Sequence, residues 1–181
     1  MYLPPTSSVE PFSLKSTTGP WVVVTTLSDP TLVSQLTVFG ATGGVIRHVD
    51  AANMMTENDL FREFAHSLGF QAYFGHNWDA MVDCLDDLHG DWHGHRDVAV
   101  IVDNAEMLLR ADFLPLFISV LCQGAERANS SVDLDGCPLD RSAIALHFVL
   151  LSPDADLEKF KIGITIPERE VVSTGAHVLI A

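Results

Sequence analysis

Two short runs of this chain, Val98–Val102 and Ala143–Leu151, are apolar almost from end to end, with His147 the one polar residue in the second. A strand with one face in water alternates polar and apolar residues; a run that does not alternate is covered on both faces, as in parallel sheets packed between helices. The segments around these runs fit such an α/β arrangement. Trp21–Thr26 reads as another buried strand, and Asp29-Pro30 then supplies an N-cap and a first-turn proline for a helix that Gly43 or Gly44 ends. Val45–Val49 follows as a strand, and a crossover of this length favours parallel pairing.

Further along, Thr56-Glu57-Asn58-Asp59 forms a capping box with Asp in place of the usual Glu. Leu60, Phe61, Phe64, Ala65 and Leu68 then recur at helical spacing until Gly69. The aromatic loop 71–77 leads into a helix predicted over Trp78–Leu88, and Ala111–Arg127 is apolar nearly all round, a buried helix with Pro115 near its first turn. After Asp154, the runs Lys161–Ile166 and His177–Ile180 read as edge strands joined by a turn-rich segment. Residues 1–19, rich in Pro, Ser and Thr without periodicity, are expected to form a flexible arm that contributes no core.

With 181 residues, 48% of them apolar, the chain suits one globular domain that needs no disulfide framework. Three cysteines, Cys84, Cys122 and Cys137, are an odd number without close metal-ligand spacing, which favours a reducing compartment. Met1–Lys15 lacks a basic start followed by an apolar run, and Phe113–Cys122 is too short to span a bilayer. A cytoplasmic protein with no membrane partner is therefore expected.

Charge narrows the function. The formal net charge is −14, a sign that repels phosphate backbones and argues against direct nucleic-acid binding. Between His76 and Asp103 seven aspartates face one basic residue, Arg96, a net −6. On a wheel of 100° per residue, Met81, Cys84, Leu85 and Leu88 point one way and Asp79, Asp83 and Asp86 the other. Asp79 and Asp83 form an i, i+4 pair of like charges, a cost partly offset by the place of Asp79 in the first turn.

The run Gly69-Phe70-Gln71-Ala72-Tyr73-Phe74-Gly75-His76-Asn77-Trp78-Asp79-Ala80-Met81-Val82-Asp83-Cys84-Leu85 resembles the motif of the barstar family of intracellular ribonuclease inhibitors. The pattern aromatic-aromatic-Gly-x-Asn-x-Asp-Ala-x-x-Asp-Cys-Leu is long and mixes turn, polar and apolar constraints, which makes chance agreement improbable. The resemblance implies a three-layer-type core, a small parallel sheet packed by helices. On that reading residues 45–152 form the barstar-like domain and 20–44 a strand-helix extension. Residues 153–181 form a C-terminal extension. It also implies a bacterial immunity protein of the toxin-antitoxin kind, which plugs the active site of a basic, barnase-type ribonuclease with the acidic helix and the loop before it.

Carried over position by position, Asp83 matches the central aspartate and Asp79 its partner one turn earlier. Tyr73 is the aromatic contact, Gly75 and Asn77 are the loop residues, and Phe74, Trp78, Ala80, Val82 and Asp86 complete the expected interface. Val82 stands where the family has a large aromatic residue, Trp78 where it has an aliphatic one, and Asp86-Asp87 add charge. The physics agrees: a nuclease site is lined with cations that stabilise phosphate, and carboxylates accept charge-assisted hydrogen bonds from them.

Four other readings are weighed. Asp79 with Asp83 could be cast as paired catalytic carboxylates, yet no nucleophile elbow, phosphate loop or metal-binding helix motif accompanies them, so no enzyme is expected. His89, His93 and His95 with Asp91 suit a metal by ligand type, but a polar Gly- and His-rich loop explains them, and neither metal nor cofactor is expected. Cys84 reads as a core residue, since nothing basic lies near it in sequence. The alternative of another functional class is an immunity or adaptor protein on the same scaffold that binds a basic partner other than a ribonuclease.

Overall fold

The computed structural model describes residues 11–89, 95–130, 132, 135–138, 140, 142–164, 166–174 and 176–181. Strands β1 (Val22–Thr25), β2 (Val45–Asp50), β3 (Val98–Asp103), β4 (Leu146–Leu151), β5 (Val171–Thr174) and β6 (His177–Ile180) form one sheet in the order β2-β3-β4-β1-β6-β5. The first four are mutually parallel, β6 runs antiparallel to β1, and β5 antiparallel to β6. Every residue of β1 and β4 is buried, as their lack of alternation requires. The expected α/β class and parallel core are present.

Helices α1 (Pro30–Ala41), α2 (Glu57–Leu68), α3 (Trp78–Asp86), α4 (Leu114–Asn129) and α5 (Leu157–Gly163) divide unequally between the two sides. Val22, Val24, Val98, Val100, Val102, Phe148 and Leu150 share a core with residues of α2, α3, α4 and α5. Their alternates Val23, Ala99, Ile101, Val149 and Leu151 join a smaller core with Leu32 and Phe39 of α1. The larger core is aromatic at its centre: Phe64 of α2 meets Phe117 of α4 edge to face at 5.5 Å, an arrangement worth about 0.5–1.5 kcal/mol beyond the area it buries.

The helix boundaries follow their chemical signals. Asp29 caps α1, accepting from the Thr31 and Leu32 amides at 3.0 and 3.3 Å. Thr56 caps α2 through the Asp59 amide at 3.2 Å, and Gly69 ends that helix in the left-handed conformation. α4 starts at Leu114 rather than Ala111, because a 3-10 turn over Ala105–Arg110 precedes it and Pro115 occupies its first turn. Among the described residues, no helix is long and apolar enough to cross a membrane.

Three expectations are corrected. Phe12 and Leu14, in the segment expected to add no core, are buried against the α1 side of the sheet, where removing their apolar surface from water is favourable. Lys161–Ile166 is not a strand, since most of it belongs to α5 and the residues after it. Ile162, Ile164 and Ile166 mimic a strand's period of two, but Leu157, Phe160 and Ile164 set a helical period, leaving Ile162 exposed and Ile164 buried. Finally, β6 is not an edge strand: it lies between β1 and β5, and the edge is β5, in the stretch read as turn-rich.

Candidate functional site

The acidic helix is positioned by the loop before it and by two helices beneath. Phe70 and Phe74 turn inward and meet edge to face at 5.0 Å, and Phe74 also packs on Phe61 of α2 at 6.0 Å. His76 takes a left-handed backbone, φ 49°, which reverses the chain ahead of Asn77. Asn77 then caps α3, its Oδ1 accepting from the Ala80 amide at 2.9 Å while its Nδ2 donates to the Gly75 carbonyl at 3.2 Å. A Cβ at position 75 would lie 2.9 Å from that Nδ2, so glycine there leaves room for the cap.

Beneath the helix, Met81, Val82, Cys84 and Leu85 are buried. Trp78 is partly buried, edge to face with Phe61 at 4.8 Å and tilted against Phe113 and Phe117. α3 packs on α4 through Gly124, where a Cβ would stand 2.7 Å from the Leu85 Cβ. Only a residue without a side chain permits so close an approach.

The outer face carries Asp79 and Asp83, both exposed, and half-buried Asp86, so the two-faced helix read from the wheel is present. Asp83 Oδ1 accepts from Arg127 Nη1 of α4 at 2.8 Å. Tyr73, 62% exposed, lies across the helix and donates its hydroxyl to Asp87 in the 3-10 turn Asp87–His89. That hydrogen bond to a carboxylate, with burial and the nearby charges, pushes the phenol up to about 12, which keeps it a donor at physiological pH. Burial, then the charges of Asp87 and Asp83, push the Cys84 thiol up to about 11, so it sits in the core as an unreactive thiol.

Of the ten residues expected at the interface, Tyr73, Gly75, Asn77, Asp79 and Asp83 are exposed, and Ala80 and Asp86 are half-exposed along the same helix. Phe74 and Val82 are buried, 7% and 5% exposed, and lie beneath that surface. Trp78 does the same in part. Asp91, His93 and the side chain of His89 lie outside the described residues; His95 is exposed, and the described residues contain no group of three or more His, Cys, Asp or Glu side chains able to hold a metal. Sequence reasoning missed two partners, Arg127 and Asp87. Only the parallel packing of α3 on α4 brings Arg127 across 44 positions to Asp83, and no spacing signals that.

The family model described as Barstar (barnase inhibitor) matches residues 45–130. Residues 45–130 are thus similar to the barstar family. The match runs from β2 through the end of α4 and contains the whole acidic helix, its loop and Arg127; β1, α1, β4, α5, β5 and β6 lie outside it. No curated protein and no solved structure gives a match to the chain. The barstar family is one of inhibitors rather than catalysts.

Proposed function

We propose that this protein is an intracellular inhibitor that protects its cell by occluding the active site of a basic, barnase-type ribonuclease. The single observation that carries the reading is the exposed row Asp79–Asp83 on a helix fixed from below, inside the stretch that matches the barnase-inhibitor family. A ribonuclease site holds cations in position for a phosphate, and a carboxylate at the same place accepts their charge-assisted hydrogen bonds. Asp83 takes the central place. Asp79 lies one turn nearer the helix N-terminus, and Tyr73, Gly75, Asn77, Ala80 and Asp86 fill the flank. Phe74, Trp78 and Val82 act from underneath as supports.

The net charge of −14 supports the same reading kinetically, since a strongly acidic surface accelerates encounter with a basic protein and loses that advantage in salt. The test is a titration of purified microbial ribonucleases, a barnase-type enzyme among them, with the wild type and with Asp83→Ala, following RNA cleavage at low and physiological salt. Stoichiometric inhibition by the wild type is expected, and at the same concentrations the variant leaves the enzyme active. Equal inhibition by both proteins removes Asp83 from the centre. Absence of inhibition with retained binding to basic proteins in general points to a partner of another class.

A further inference from the structure

The carboxylate at the centre of the acidic face already has a cation. Arg127 stands in the last turn of α4, where the helix dipole favours a positive charge. Its Nη1 reaches Asp83 Oδ1 at 2.8 Å across the groove between the two helices. Asp83 is 67% exposed and Arg127 40%, so the pair lies open to solvent. Gly124, one turn before Arg127 on the same helix, permits the close approach of α3 and α4 on which that reach depends.

We infer that Arg127 is a specificity-determining residue: an internal cation that holds Asp83 against weakly basic proteins and yields it only to a partner presenting a stronger cluster of cations. The inference rests on the inhibitory reading of the same face. Its logic is exchange. A guanidinium from a ribonuclease would make with Asp83 the contact that Arg127 makes already, so docking must either displace Arg127 or bring a second cation beside it. An exposed ion pair is weak in water and is readily displaced. Two guanidinium groups crowded on one carboxylate repel each other, and more so once water leaves the interface. A partner with a single available cation therefore gains little, whereas a site built to neutralise a phosphate supplies several at once. This is selection by raising the threshold against wrong partners rather than by improving contacts to the right one.

The experiment is a double-mutant cycle on the full chain, with wild type, Arg127→Ala, Asp83→Ala and the double variant. Each is measured by equilibrium binding to a barnase-type ribonuclease and to hen lysozyme, a basic protein that is not a ribonuclease, at low and physiological salt. Arg127→Ala is expected to bind the ribonuclease about two- to tenfold tighter and to gain more for lysozyme, so that the ratio between the two partners falls. In the Asp83→Ala background the same substitution should change affinity less than about twofold, because its target is gone. Arg127→Lys, which keeps the charge, should stay near the wild type, and thermal melts of all variants should remain close together.

Weaker ribonuclease binding by Arg127→Ala, with Asp83→Ala still defective, overturns this inference alone and makes Arg127 a support that holds Asp83 in place. An equal gain in the presence and absence of Asp83 also overturns it, reducing the effect to net charge. If Asp83→Ala binds the ribonuclease as the wild type does, Asp83 leaves the centre of the interface and this inference falls with it; if the wild type does not bind the ribonuclease at all, the inhibitory reading itself fails.

Discussion

The two sides of the sheet are closed by different chemistry. On the side that carries the candidate site, α2, α3, α4 and α5 lay aromatic and aliphatic side chains on the strands, and the seal is apolar. The other side has one helix, α1, and the N-terminal segment with Phe12 and Leu14, and it is fastened by buried histidines. His177 Nε2 meets Asp29 Oδ2 at 2.7 Å, tying the last strand to the cap of the first helix. His147 faces the carbonyls of Pro20 at 3.0 Å and Ser16 at 2.7 Å, tying the N-terminal segment to β4. The contrast teaches that a surface meant to keep its shape rests on contacts indifferent to proton concentration, while the opposite side is held by contacts that are not.

Phe117→Ala is the strongest way to break that contrast. The ring is fully buried at the junction of α2 and α4, and its loss should cost about 3–5 kcal/mol, measured by urea unfolding, with the same decrement at pH 7.5 and pH 5. A decrement that varies with pH would show that the helical side is not the insensitive one. Next comes Leu14→Ala, expected to cost about 2–3 kcal/mol, since the side chain is fully buried yet covers the smaller core. A cost near zero would return residues 11–20 to a surface arm.

The smallest effect sharpens the comparison most. A neutral imidazole donates through one nitrogen only, so His147 cannot satisfy both carbonyls without gaining a proton. Burial dominates nonetheless and pulls the ring below its ordinary 6.5, against the opposing influence of the Ser16 and Pro20 carbonyls. Its contribution to stability is therefore complete above about pH 6.5 and is lost as pH falls through the lowered folded value. Asp29 shifts in the same sense at lower pH: although burial opposes it, bonds from His177, Thr31 and Thr25 hold it below its ordinary 3.8. Melting temperature should thus fall on acidification from pH 8 to 5, and His147→Leu should remove most of that slope. An unchanged slope would move the pH sensitivity elsewhere.

Much of this architecture is legible in the residues. Unbroken apolar strands give a doubly covered sheet, and Asp29-Pro30, Thr56 and Gly69 give helix ends to within a residue, because those signals are local. The acidic face of α3 is legible for the same reason: a helical period needs only the helix. What is lost is non-local. Phe12 and Leu14 look like a polar arm's stray hydrophobes until the exposed side of β4 and β1 needs a cover, and Ile162-Gly163-Ile164 fits two periods until packing chooses one. Phe74 and Val82 could be numbered into an interface from the motif, but which side of a chain faces inward is decided by Phe61 and the sheet below. Arg127 is the clearest case, a neighbour of the acidic face announced by no motif.

Gly124 carries a consequence that reaches beyond packing. The place of the acidic helix is gauged against α4 at a point where a single methyl group would collide with Leu85. An alanine there alters no charge and touches no partner, yet it would reset the distance from Asp83 to Arg127 and tilt the whole ridge. The acidic ridge is thus machined to a tolerance held inside the protein. A lineage that drifts at this hidden position changes the fit of its outer face without changing one residue on it.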